Sequence, residues 1–200
     1  MKFPPLALVC FLACTLCAQQ PQRPAASPTQ AMYNAAASSA ERKFQHIQQN
    51  AKQPNPDQTP TVLSEREVNA YVAGGYVNLP AGVKSVTFHG RPNAIQATAR
   101  VDFDQIRESR RESNPLLSLF SGVHDVHVLA NASGSGGQAR VDIQSVDIDG
   151  INVPRMALEF FVSRYITPKY PEVGMSSTFK LPYRIDTATV GNGTLTLTQK

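Results

Sequence analysis

The chain has no tryptophan, and its three cysteines, Cys10, Cys14 and Cys17, all fall in one short apolar run near the start. Beyond Cys17 there is therefore no disulfide, no thiolate metal site and no cysteine nucleophile. Charged residues make up only 17% of the chain and never form a dense Lys/Arg block. The one basic cluster, Arg107, Arg110 and Arg111, is interleaved with Glu108 and Glu112, as on a solvated face. The net charge of +4 is a weak bias, and no basic groove with aromatic residues marks a nucleic-acid partner. A G-x-S-x-G nucleophile elbow is missing, and SGSGG at 133–137 lacks the lysine of a phosphate-binding loop. No apolar run reaches a comfortable membrane span.

The run FPPLALVCFLACTLCA follows Lys2 and precedes a polar Gln/Pro stretch. A positive start, a short apolar core and a small residue at the exit predict a secretory signal over residues 1–18, cut after Ala18. The location implied is exported, with the periplasm as the compartment. An alternative is a lipoprotein anchored through Cys14, which follows the small residue Ala13.

Residues 19–60 read as a Pro/Gln-rich linker with a helix over 39–52. Ser38 and Glu41 have capping-box spacing, and Ala40, Phe44, Ile47 and Ala51 form one narrow apolar stripe. QPNPDQTP at 53–60 then forbids a continuing helix. A single α+β domain is expected over 61–200. It opens on a helix with a capping box, Ser64 to Glu67, and staple spacing between Leu63 and Val68; Gly74-Gly75 ends it.

The period then becomes two. Ile95, Ala97, Ala99, Val101 and Phe103 alternate with polar residues, as on a half-buried antiparallel strand, and 83–88 pairs with it. Residues 123–132 and 138–148 form a second hairpin, and their apolar alternation slips near Ser145, which predicts a bulge. Pro154 starts a helix that is apolar round most of its circumference, through Met156, Leu158, Phe160, Phe161, Val162, Tyr165 and Ile166. Such a helix must be enclosed. A last hairpin joins 183–190 to 194–199 through Gly191-Asn192-Gly193. The fold class predicted is a strongly curved antiparallel sheet wrapped around a long apolar helix, preceded by a capped N-terminal helix.

Polar constellations are weak. His124 and His127, three apart on a strand, point to opposite faces and cannot chelate together. Asp147, Asp149 and Gly150 are a fragment of a calcium loop without its remaining oxygen ligands. Asp102 and Asp104 read as wet-face residues, and the sequons at Asn131 and Asn192 matter only in a glycosylating host. The informative stretch is NPLLSLFSG at 114–122, where Leu116, Leu117, Leu119 and Phe120 sit in a connection. It reads either as a core-covering helix or as an apolar lip for a ligand or membrane surface.

LSEREVNAYV, the strand AIQATARVDF, PLLSLFSG, the turn VPR at 153–155 and a closing strand FKLPYRI at 179–185 follow one another in an order that resembles LmeA-like or YceB-like exported bacterial lipid-binding domains. The resemblance covers 61–200 and carries no catalytic group. It implies lipid or amphiphile binding in the cell envelope. With no catalytic set, metal site or cofactor motif in the chain, the expectation is a non-enzymatic protein. A lipid or amphiphile would occupy an apolar groove, with Leu116, Leu117, Leu119, Phe120, Phe160, Phe161 and Tyr165 as its lining, and membrane-surface contact is compatible with this. The alternative is an envelope interaction or assembly module that holds no ligand.

Overall fold

The computed structural model describes residues 28–108, 121–167 and 173–200. In chain order the elements are α1 (Pro28–Asn50), β1 (Thr61–Ser64), α2 (Glu65–Tyr71), β2 (Val83–Arg91), β3 (Ala94–Asp102), α3 (Phe103–Glu108), β4 (Val123–Ser135), β5 (Gln138–Ile148), β6 (Ile151–Asn152), α4 (Arg155–Phe161), β7 (Ser176–Lys180), β8 (Ile185–Val190) and β9 (Thr194–Gln199). All nine strands belong to one antiparallel sheet of order β1-β9-β8-β4-β3-β2, with β5 branching from β4 to reach β6 and β7. The large antiparallel sheet with helices bears out the α+β expectation.

The local signals act as their chemistry requires. Ser64 caps α2 by accepting from the backbone of Glu67, whose carboxylate returns a bond to the Ser64 backbone. The helix runs on through a wider turn at Val72–Tyr76, where Gly75 takes the left-handed φ of 79° that stops it. β2 and β3 close through Pro92 and Asn93, the latter at φ 58°, a conformation asparagine tolerates. The β4–β5 register shifts between Leu129 and Ala130, which face Ser145 and Ile143, so Gln144 is the extra residue of the expected bulge.

β4 joins two halves of the sheet. Its first part pairs with β3 as far as Asn131, and beyond that Gly134 pairs with Ala188 of β8. A Cβ on Gly134 would stand 2.7 Å from the Ala188 Cβ and 2.9 Å from its nitrogen, so only glycine fits this crossing.

Three expectations need correcting. The helix expected over 39–52, as part of a linker, runs from Pro28 to Asn50 and belongs to the packed unit. Its stripe buries Ala36, Ala37, Ala40 and Ile47, and the last two share a cluster with Leu63, Ile185 and Leu197. Alanines make the stripe look weak in sequence, yet they allow a close approach to the sheet.

The helix from Pro154 is not enclosed. Pro154 caps α4, but no residue of α4 is buried, and Met156 and Phe160 are 82% and 54% exposed. Wide apolar coverage here reflects one face on the sheet and another in solvent.

FKLPYRI is not one strand. It spans the end of β7, a turn at Pro182–Ile185 and the start of β8.

Polar bonds lock α1 in place. Glu67 accepts from Ser39 Oγ at 2.6 Å and from Lys43 Nζ at 2.6 and 2.8 Å, besides its bonds to Ser64. At the C-terminal end of α1, buried Gln199 accepts from Asn50 Nδ2 at 2.8 Å and donates to the Ile47 carbonyl at 2.9 Å. Among the described residues no helix is long and apolar enough to cross a membrane.

Candidate functional site: an open apolar sheet face

Strand register gathers one apolar surface from four strands. Val86, Ala99, Val126 and Ile148 form one row across β2, β3, β4 and β5. Phe88, Ala97, Val128 and Val146 form the next, and Gly90, Ile95, Ala130 and Ile143 the third. Alternation puts these residues on one side of the sheet and their neighbours on the other. Only Ala130 in the three rows is buried; the others are half-buried. The rows span roughly 20 Å along the strands, counting Val101 at one end and Ile95 at the other at about 3.3 Å per residue.

The ends of this face are covered. At one end Val101 and Phe103 are buried, with Ile106 of α3, Phe161 of α4 and the face residues Ala99, Val126 and Ile148 packed against them. At the other, Val68 of α2 together with Val190 and Leu195 leaves a cavity of about 200 Å³ against Phe88 and Ile95. Glu65 stands at its rim. Desolvation raises its pKa, but bonds from His89 Nδ1 and the Gly90 N–H outweigh that and hold it below the usual carboxylate range. The α2 position itself is fixed by Asn69, whose side-chain amide exchanges two bonds with the Phe88 backbone at 2.7 and 2.8 Å and so caps the edge of β2.

The opposite face is polar. Thr87, Thr98, His127 and Asp147 lie in one row across the same four strands, beside a cleft of about 430 Å³. Thr98 Oγ1 and His127 Nδ1 are 3.0 Å apart. A hydroxyl, an imidazole and a carboxylate in one row invite a nucleophile reading. Among the described residues, however, no hydrogen bond or ion pair joins His127 to Asp147, so the row is not a connected relay.

His124 and His127 do lie on opposite faces. His124 Nδ1 is 2.5 Å from Asp149 Oδ2 and its Nε2 is 3.0 Å from the Ser121 carbonyl, so both ring nitrogens are engaged. The Asp149 bond above all raises the His124 pKa. The Asp149 carboxylate also accepts from the Asp125 N–H at 2.9 Å, and Asp149 itself, at φ 49°, turns the chain between β5 and β6. Those oxygens serve the turn. Asp102 closes the start of α3 by accepting from the Gln105 N–H, and Asp104 lies in α3 rather than on a strand. Among the described residues no group of three His, Cys, Asp or Glu could hold a metal ion.

Leu116, Leu117, Leu119 and Phe120 lie outside the described residues, as does the side chain of Tyr165. The adjacent Phe160 and Phe161 diverge: Phe161 packs on the sheet face and Phe160 faces solvent. The strand residues of the three rows were absent from the expected lining. Their alternation was visible, but a row across four strands needs the register, which no single strand carries. No family model, curated protein or solved structure matches the chain.

Proposed function

We propose that the chain is an exported, non-enzymatic protein that holds the apolar part of a lipid or other amphiphile against the open face of β2–β5. One observation carries this reading: all but Ala130 of three in-register apolar rows remain half-buried, while Ala40, Ile47 and Leu63 at the α1 contact are sealed from water. An alkyl chain laid on such a face gains about 0.8 kcal/mol per buried methylene, without any charged partner. Small side chains at Ala97 and Ala99 keep the middle of the face low, so a chain can lie close to the sheet. The resemblance of LSEREVNAYV and the elements after it to LmeA-like or YceB-like domains supports the same ligand class, as does the signal-like run before residue 19.

The test is native mass spectrometry of purified protein mixed with palmitate and with phosphatidylglycerol. A near one-to-one adduct is expected. Val128→Asp, a charge in the middle row, should abolish it, and His127→Asn on the polar face should not. Wild-type protein that takes up neither probe would sink the proposal.

A second reading, an interaction module, draws on β7. It pairs with β5 alone among the described residues and leaves its other edge and Phe179 exposed. Ligand-free protein that crosslinks to one envelope protein at fixed stoichiometry would favour it.

A further inference from the structure

At the tip of the β4–β5 hairpin, beyond the apolar rows, lies a second cavity of about 910 Å³. One wall is the turn between β7 and β8. Tyr183 and Arg184 sit there with φ of 54° and 57°, and the Ile185 N–H donates to the Pro182 carbonyl at 3.1 Å. Two successive left-handed residues suit Asn-Gly; two bulky side chains strain the backbone instead.

Such strain persists only where the surroundings impose it, and here they do. Gln199 Nε2 donates to the Tyr183 carbonyl at 2.7 Å, the Lys200 N–H to the Arg184 carbonyl at 3.1 Å, and Arg184 Nη1 to the Gln53 carbonyl at 3.1 Å. Gln199 is itself buried and held by Asn50, so α1 braces the turn.

The strained turn places an arginine and a tyrosine ring at the cavity wall beside Lys180 and Lys200, above an apolar lining of Leu181 and Ile185. The three cations have one side-chain carboxylate partner among the described residues, Asp186, which pairs with Lys200. Lys180 has no carboxylate partner among the described residues, and Arg184 uses one of its five N–H groups on Gln53. A guanidinium fork that lines one cavity with two ammonium groups, one of them paired with Asp186, matches a doubly charged anion with several acceptor oxygens better than a single carboxylate. The apolar lining and the Tyr183 ring leave room for an uncharged part of the same molecule.

We propose that Arg184, held at this cavity by the strained turn, binds a phosphomonoester group together with Lys180 at the end of β7 and Lys200 beyond β9. The group could belong to a soluble phosphate ester or to a lipid headgroup. The site stands apart from the apolar face and does not depend on it.

Two probes separate the sources: phenyl phosphate titrated by calorimetry, and phosphatidylcholine vesicles with and without phosphatidic acid, tested by co-sedimentation. Uptake of phenyl phosphate assigns a soluble ester. Retention on phosphatidic acid vesicles without uptake of phenyl phosphate assigns a headgroup. Binding to neither overturns the proposal. Removing cations should weaken whichever binding occurs by about fivefold each, so the Lys180→Gln/Arg184→Gln double variant should lose about 25-fold. Unchanged affinity in that variant also overturns the site.

A second variant guards against misfolding. Tyr183→Asn/Arg184→Gly relieves the turn and should raise Tm by about 3–6 °C while binding falls. Val128→Asp should leave phosphate binding intact, which keeps this result separate from the fate of the open face.

Discussion

Against α1, apolar side chains vanish from solvent: Ile47 and Leu63, at 1% and 0% exposed, are the largest fully buried side chains of the described residues. Across β2–β5, valines and isoleucines stay half-buried, although register sets them side by side in three rows. The difference lies in what is laid on top. α1 crosses its part of the sheet with an alanine-rich stripe and is pinned at its middle by Glu67 and at its C-terminal end by the Asn50–Gln199 pair. Among the described residues the β2–β5 face is covered at its ends alone, by Phe161 and Ile106 at one and Val68 at the other. One apolar surface thus holds the fold together and the other remains available, and substitutions should separate the two roles.

The largest effect is expected at Ile47. Truncation to alanine opens a cavity in a site with no route for water, at a cost of about 3 kcal/mol within the usual 2–5 range. Urea denaturation of Ile47→Ala measures it. A loss under about 1 kcal/mol would mean that α1 is docked loosely and that the contrast with β2–β5 is one of degree.

Glu67 comes next, because it ties α1 to α2. Burial opposes its charge, but the bonds from Lys43, Ser39 and Ser64 prevail and hold its pKa at about 2, against the ordinary 4.5. A carboxyl depressed on folding stabilises the folded state fully above pH 4.5, and that contribution is lost as pH falls toward 2. Lys43 is one-third exposed, which screens the pair, so about 2 kcal/mol is expected for Glu67→Gln at pH 7. The variant should also lose stability less steeply than wild type between pH 4.5 and 2, a comparison that denaturation at pH 7 and pH 3 provides. Parallel pH profiles would show that the carboxylate does not carry the α1–α2 contact.

The junction of the two regions ranks third. Any Cβ at Gly134 collides with the Ala188 backbone, and overpacking of this kind costs about 1–3 kcal/mol. Gly134→Val should lower Tm and weaken protection from hydrogen exchange on both β4 and β8. Loss confined to β8 and β9 would instead show that the β2–β5 part stands independently of α1.

Much of this architecture was legible from local chemistry. The Ser64–Glu67 box, the glycine stop at Gly75, the alternation of β3 and the slip at Gln144 each depend on a few neighbouring residues. What escaped depends on distant partners. Ala36, Ala37 and Ala40 carry little hydrophobic signal, so a core helix looked like part of a linker. Met156 and Phe160 carry a strong one, so an exposed helix looked enclosed. In both cases burial is decided by the surface opposite, which periodicity within one helix does not specify. The candidate face shows the same limit. Phe161 is identifiable within the apolar helix that Pro154 starts, whereas Val86, Ala99, Val126 and Ile148 become a row only through three strand pairings.

The smallest expected stability effect is the most telling for function. Val128 sits in the centre of the middle row, half-buried, between Ala97 and Val146. Because it is smaller and less buried than Ile47, Val128→Ala removes less buried area and should cost about 1 kcal/mol, below the Ile47 variant. Ligand should change that ranking. A molecule bound to the folded state at a hundred times its Kd adds about 2.7 kcal/mol, so saturating palmitate should raise the wild-type Tm by several degrees. Val128→Ala should show a smaller rise, since the face then offers fewer contacts to an alkyl chain, while Ile47→Ala should gain as much as wild type from its lower starting point. Scanning calorimetry of the three proteins with and without palmitate resolves these differences. Equal gains in all three would mean that palmitate binds away from the rows, and the half-burial of the β2–β5 face would then lose its functional reading.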